Sequence, residues 1–453
     1  MCKLLGEQYY ANPKFREYFD NHFVMLRADS DEKIGQELFK KFKINATPTV
    51  LTIGGDGAEV DWTVGYGPPP EKFHQTMQKM VEGDGTFKAL SEAFAKNPKD
   101  AAAAFLLARK WSYRTDSAKS AEYYRLVVTL DPTGKSGTYK DEYQKWTVPY
   151  TEYAEFSLGG TALGGTTRDP AAMKAFIQKY AKSPLLKQAY ARLSSYYSSV
   201  PSKDEATAFY AEFTAKYPED PEVLVAWLNR ITRDKGDFVK GVELADRIRL
   251  VTQRNPVPRT SQSLANFYFA KGDAEEAENV YGKDFMSDRA SSLSYDMIDY
   301  ANYWVGRNAN LEAAVRAAET ALKLFPDSSY FLSQAAGIYI KAGKEDNALE
   351  IYGPAYFQKN IGNKNALSSY TAFWGNQGKN LDSALEAGRK VVELSPNDYY
   401  CWYALSTVLL AKKDYDGALK AAEKAVELAD DAFKSYYQKN IEKIKTAQAA
   451  EKK

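Results

Sequence analysis

The sequence predicts a mainly α chain: an α-solenoid of helix pairs preceded by a small, incomplete α/β domain. Three observations carry this expectation. Small residues recur at spacings of 34 to 37 residues along most of the chain. Alternation of strand and helix patterns is confined to the first eighty or so residues. And 453 residues exceed what a single ordinary core organises.

Composition narrows the function classes. Apolar residues make 44% and charged residues 26%, as in ordinary globular protein. With 60 basic and 59 acidic residues the net charge is +1, so nothing points to nucleic acid. No run of 18 apolar residues exists, so no membrane insertion is expected. Two cysteines, Cys2 and Cys401, cannot build a disulfide framework, and two histidines, His22 and His74, offer no metal site. No cofactor is expected. The 33 tyrosines stand out; such residues suit helix–helix contacts, where they bury area and keep a polar tip.

The chain opens on an amphipathic pattern, "MCKLLGEQYY", with no leader before it as written. "FVMLRAD" (Phe23–Asp29) reads as a short strand, and Ile34, Leu38, Phe39 and Phe42 as one face of a helix. Thr49–Ile53 and Glu59–Val64 flank "GGDG", a hairpin signal. Glu71–Val81 is helical again, with Phe73, Met77, Met80 and Val81 on one side. The two histidines fall on or beside solvated helix surfaces.

This order, with "INATPTVLTI" and "VGYGPPPEKF", resembles the later part of a thioredoxin-like domain, over residues 1–83. The resemblance implies that Pro48 is the cis proline facing the redox pair, with Thr47 before it, and that Cys2 holds the second Cys position of Cys-x-x-Cys. It further implies that the chain is N-terminally truncated and lacks the first, nucleophilic cysteine. Alone, Cys2 can form a mixed disulfide but cannot release product by a second attack. A helix N-terminus at Cys2 would favour its thiolate.

Residues 84–100 read as a connecting helix. From residue 101 to 430 the sequence repeats. Ser120, Ala172, Ala206, Gly241, Ala277, Ala314, Ala348, Ala384 and Ala418 occupy one position, and Pro218, Pro326 and Pro396 follow it by twelve residues. Preceding helices repeat too, as in Leu264, Ala265, Tyr268 and Gly272, or Leu332, Ala335, Ala336, Tyr339 and Gly343. About nine such units are similar to tetratricopeptide (TPR) repeats, helix pairs of about 34 residues. Residues 431–453 read as a capping helix with a frayed "AAEKK" tail. The surplus between Ser120 and Ala172, over 133–169, is expected to be a flexible insertion. Gly134-Lys135-Ser136 within it lacks the earlier glycine of a phosphate loop.

In such an array the first helices line a groove. There Arg259, Gln262, Asn266, Phe269, Asn302, Tyr330, Ser333, Tyr400 and Tyr403 are the candidate peptide-binding residues, since an Asn amide both donates to and accepts from a peptide backbone. The expected function is a scaffold that binds protein or peptide segments, carrying a thioredoxin-like domain that is redox-incompetent as written. The alternative is a thiol–disulfide oxidoreductase whose array recruits substrates, in a longer parent chain with an intact Cys-x-x-Cys. No nucleophile–His pairing supports a hydrolase or transferase. The fusion resembles bacterial exported proteins, which implies the cell envelope with its leader missing; reduced cysteines would otherwise suit the cytoplasm.

Overall fold

The computed structural model describes residues 2–29, 33–114, 116–141, 144–200, 202–252, 258–282, 285, 294–429 and 431–451. The chain divides into two compact units, Met1–Trp227 and Leu228–Lys453.

In the first unit, α1 (Cys2–Leu5) runs into a π-helical turn (Gly6–Tyr10), followed by α2 (Pro13–His22) and α3 (Lys33–Lys41). Then come β1 (Thr49–Ile53) and β2 (Glu59–Val64), paired antiparallel with Thr49 opposite Val64 and Leu51 opposite Trp62. Gly57 turns the hairpin at φ 78°, in the left-handed region that glycine tolerates. α4 (Pro70–Glu82) closes this domain over a core of Leu5, Tyr9, Phe15, Phe19, Tyr66, Phe73, Met77 and Met80. Val81, expected on the buried side, points outward. His74 is half-buried rather than solvated: the Tyr9 hydroxyl lies 3.0 Å from its Nδ1, and burial holds its pKa below the usual histidine range.

The expected strand at Phe23–Asp29 is not formed. Val24, Met25 and Leu26 are exposed and belong to no helix or strand. Strand propensity alone cannot make a strand; a ladder partner must satisfy its backbone groups. Among the described residues the domain's only ladder joins β1 to β2.

α5 (Phe87–Lys96) starts at the Thr86 N-cap and leads into helix pairs. These are α6 (Ala101–Tyr113) with α7 (Ser117–Leu130); α8 (Tyr150–Gly164) with α9 (Ala171–Lys179); and α10 (Leu186–Tyr197) with α11 (Lys203–Lys216). The stretch expected to be a flexible insertion is instead a hairpin followed by a helix. β3 (Thr138–Asp141) pairs with β4 (Trp146–Pro149), and "GGTALGG" lies on and just beyond α8. Tyr150 stacks on Phe105 at 4.0 Å between centroids, and Tyr139 packs on Tyr153 at 4.6 Å. The 52-residue spacing is therefore an ordinary repeat with a hairpin ahead of its first helix. The small-residue register slips by one there: Ala172 is exposed and Met173 is fully buried. The Gly134-Lys135-Ser136 turn holds no open anion nest. The Asp131 carboxylate already accepts the amides of Lys135 at 2.9 Å and Ser136 at 2.7 Å.

The α/β domain is docked on the first repeat. Trp62 of β2 packs on Phe87 at 4.9 Å and Trp111 at 6.2 Å, and the Arg114 guanidinium covers Trp62 at 3.6 Å. Two ion pairs flank the rings, Lys110–Asp61 and Arg114–Glu59, all four side chains being largely buried.

α12 (Pro221–Asp234) contains the division between the units. The second unit continues with α13 (Phe238–Thr252), α14 (Pro258–Lys271), α15 (Ala274–Tyr281), α16 (Ser294–Val305), α17 (Leu311–Leu324), α18 (Ser329–Lys341) and α19 (Glu345–Tyr352). It ends with α20 (Pro354–Lys359), α21 (Lys364–Gln377), α22 (Leu381–Leu394), α23 (Tyr399–Ala411), α24 (Tyr415–Leu428) and α25 (Asp431–Glu451). First helices touch first helices, α16 to α18 to α21 to α23. Ala277, Ala314, Ala348, Ala384 and Ala418 are fully buried where paired helices meet. The tyrosines serve these contacts. Trp304 Nε1 donates to the Tyr281 carbonyl and Trp374 Nε1 to the Tyr352 carbonyl, each at 2.8 Å. This shared device marks a correspondence between two stretches about two repeats apart. α25 lays Tyr437 and Ile444 over α24, covering its apolar face. It continues through Glu451, whose carboxylate meets Lys413 at 2.7 Å, so the tail expected to fray is helical that far.

Candidate functional site

The first-helix face of the second unit carries the predicted groove residues, and they fall into two groups. In the first, Asn266 Oδ1 accepts from Arg307 Nη2 at 2.8 Å, and the same guanidinium lies over Tyr303 at 3.7 Å and Phe269 at 5.5 Å. Asn302 Nδ2 donates to Gln334 Oε1 at 3.0 Å. Both amides are therefore engaged across neighbouring first helices. Each keeps capacity to spare: Asn266 its two N–H groups, Asn302 its oxygen and one N–H. Tyr330 packs on Tyr295 at 5.5 Å with the rings tilted by 40°, both exposed. Ser333 spends its hydroxyl on the Tyr330 carbonyl at 2.9 Å. Arg259 is exposed and Gln262 half-buried on α14. Burial, then the neighbouring Asp299, raises the Asp296 pKa, while Arg259 opposes this.

The second group is aromatic. Tyr400 and Tyr403 lie 5.9 Å apart, and the Tyr403 hydroxyl is 3.4 Å from that of Tyr436. Asn440 of α25 donates to Ser406 Oγ at 2.8 Å. The structure gives no hydrogen bond or ring contact that joins this shelf to the Asn266–Asn302 group among the described residues. Arg307 and Gln334 were missed in the sequence. Arg307 follows Gly306 beyond the end of α16, outside the helical positions that the repeat period marks.

In the α/β domain, Cys2 is exposed at the start of α1. Thr47 and Pro48 stand together just before β1, joined by a cis peptide bond. The Cys2 thiol makes no hydrogen bond among the described residues. Cys401 is buried, and burial, followed by the nearby Asp398, pushes its thiol up to about 12.

Residues 1–81 match the thioredoxin-like domain family, and residues 399–431 match the tetratricopeptide repeat. The chain joins a thioredoxin-like domain to TPR repeats. Similar solved structures include two that are described as TPR proteins. A tetratricopeptide repeat protein from Parabacteroides merdae is 13% identical over 65% of this chain and 98% of its own, with a TM-score of 0.34. YrrB, described as a TPR protein with an unusual peptide-binding site, is 19% identical over 45% and 97%, at 0.24. Yeast Tom70 is 13% identical over 84% and 94%, at 0.28. No curated protein matches the sequence.

Proposed function

We propose that this protein is an interaction scaffold whose α14–α16–α18 face holds an extended protein segment, and whose thioredoxin-like domain performs no dithiol redox cycle as the chain is written. The observation that carries the reading is the pair of asparagines on successive first helices. Asn266 and Asn302 are held in place by Arg307 and Gln334, yet each retains donors or acceptors for a peptide backbone. Exposed Tyr295 on α16 and Tyr330 on α18 offer stacking area at low entropic cost. Binding by an ordered face of this kind costs less reorganisation than binding by a mobile one.

The redox part rests on thiol placement. Disulfide exchange needs a second thiolate to release the mixed disulfide. Of the two cysteines in the sequence, Cys2 is exposed, and Cys401 is buried with its thiolate strongly disfavoured.

The test is fluorescence anisotropy of the full chain against a panel of labelled, unstructured peptides of about ten residues. At least one sequence class should bind saturably, and Asn266→Ala/Asn302→Ala should weaken it roughly tenfold or more with an unchanged melting curve. Equal binding by the double variant, or no binding across the panel, would overturn the groove assignment.

A further inference from the structure

The first unit holds a pocket of about 690 Å3 that the groove reading does not use. It lies between α6, α7, α8 and α10, and among the described residues no carboxylate lines it. Its wall is hydroxyl-rich, with Ser112, Ser117, Ser157, Thr161 and Ser195 beside Tyr124, Tyr153 and Tyr196, and two guanidiniums, Arg168 and Arg192, face it.

Those guanidiniums have no ion-pair partner among the described residues. Arg192 lies over the Phe156 ring at 3.9 Å and gives Nη1 to the Phe156 carbonyl at 3.3 Å. Arg168 donates to Ser199 Oγ at 2.7 Å and lies 5.5 Å from the Tyr196 ring centre. Each uses only part of its five-donor fork. A third guanidinium stands behind the wall: Arg109 donates to the hydroxyls of Tyr153 at 2.6 Å, Tyr113 at 2.8 Å and Tyr139 at 2.9 Å. Accepting from Arg109 makes Tyr153 a stronger donor through its own hydrogen. Three arginines thus meet rings, hydroxyls and a carbonyl in a chain whose 60 basic and 59 acidic residues pair freely elsewhere.

Two backbone features support the arrangement. Gly160 leaves room for Arg192, since a Cβ there would stand 2.1 Å from its Nη1. Arg168 sits at φ 46°, a left-handed conformation that costs a non-glycine residue and so is kept only where surrounding structure demands it.

We propose that this pocket binds a hydroxylated organic anion, a sugar-sized body bearing a carboxylate or phosphate, with its oxyanion on Arg168 and Arg192 and its hydroxyls on Ser157, Thr161, Ser195 and Tyr153. Guanidinium forks match both oxyanions, the hydroxyl wall matches a polyol, and the tyrosine rings offer it flat faces. The volume is in the range of small-molecule sites. The absence of any carboxylate from the wall disfavours a cation.

Calorimetric titration of the full chain tests this with glucose 6-phosphate, glucuronate, glucose, inorganic phosphate and a peptide ending in a free carboxylate. At least one of the two sugar anions should bind with a Kd on the order of 0.1–1 mM, more tightly than either glucose or inorganic phosphate. The preferred one identifies the oxyanion. Arg192→Gln and Arg168→Gln should each weaken it about tenfold or more with unchanged circular dichroism and melting, and Gly160→Ala should weaken it by displacing Arg192 while the protein stays folded by circular dichroism. Absence of binding by both sugar anions would overturn the proposal. So would binding unaffected by the arginine variants, equal binding of inorganic phosphate, or binding of the peptide alone.

Discussion

One chemical change, Gly to Ala, should have opposite effects at two helical positions of the second unit. Gly375 on α21 is buried against α23. A Cβ there would stand 2.5 Å from Thr407 Oγ1, 2.8 Å from the Val408 amide nitrogen and 3.0 Å from the Thr407 carbonyl carbon. Two of the three are backbone and cannot rotate away. The helices must part by about half an ångström to reach ordinary contact. Overpacking of this kind costs about 1–3 kcal/mol, against which the better helix propensity of alanine returns somewhat under 1 kcal/mol. At Gly337, mid-way along α18, the nearest atom to an added Cβ is Phe373 Cε2 at 3.7 Å, an ordinary contact. There only the propensity gain remains, about 0.5–1 kcal/mol. Gly375→Ala should therefore lower stability by about 1–2 kcal/mol and Gly337→Ala should raise it. Urea denaturation of the full chain, followed by helical circular dichroism, reads both. A stabilised Gly375→Ala protein, or two variants shifted in the same direction, would refute the assigned helix packing.

Three further outcomes follow from the first unit and the thiols. Trp62→Ala should destabilise that unit by about 3–5 kcal/mol, because it uncovers Phe87 and Trp111 together; thermal melting checks this, and a change under 1 kcal/mol would mean the hairpin is not docked there. Burial raises the pKa of Asp131, but the Ser136 hydroxyl, the Ser136 and Lys135 amides and Thr133 outweigh it and hold it at about 2, below its ordinary 3.8. Its stabilisation is thus complete above the ordinary value and lost as pH falls towards 2. It amounts to about 1–2 kcal/mol, and Asp131→Asn should flatten that acid limb in melts taken from pH 5 to 2. Cys2, exposed, should react with a thiol reagent at pH 7.5 far faster than Cys401, and Cys401 labelling should quicken only in denaturant; equal native rates would contradict the burial of α23.

Much of the fold is legible in the sequence. The "GGDG" signal between alternating runs marks β1 and β2 because turn chemistry and period-2 patterning agree. The small-residue period marks the helix pairs because close helix approach permits little else. What the sequence hid was context. "FVMLR" has strand composition but no ladder partner among the described residues. The surplus spacing over 133–169 suggests a flexible insertion, whereas Tyr139, Trp146, Tyr150 and Tyr153 give it a packing surface, and Asp131 ties its first turn. Ala172 continued the numerical series while Met173 took the buried place, because the hairpin resets the register. In the groove, the asparagines followed from repeat position, but Arg307, which holds Asn266, lies beyond a helix end where no periodicity points.

The central claim is that the α14–α16–α18 face is where protein segments are held. The most direct measurement is photo-crosslinking: a peptide that binds the full chain, carrying a benzophenone at its centre, is irradiated in complex and its attachment points are read by mass spectrometry. Adducts on α14, α16 and α18, near Asn266, Asn302 and Tyr330, are the predicted result. Adducts confined to the second helices α17 and α22, or to residues 1–227, would contradict it.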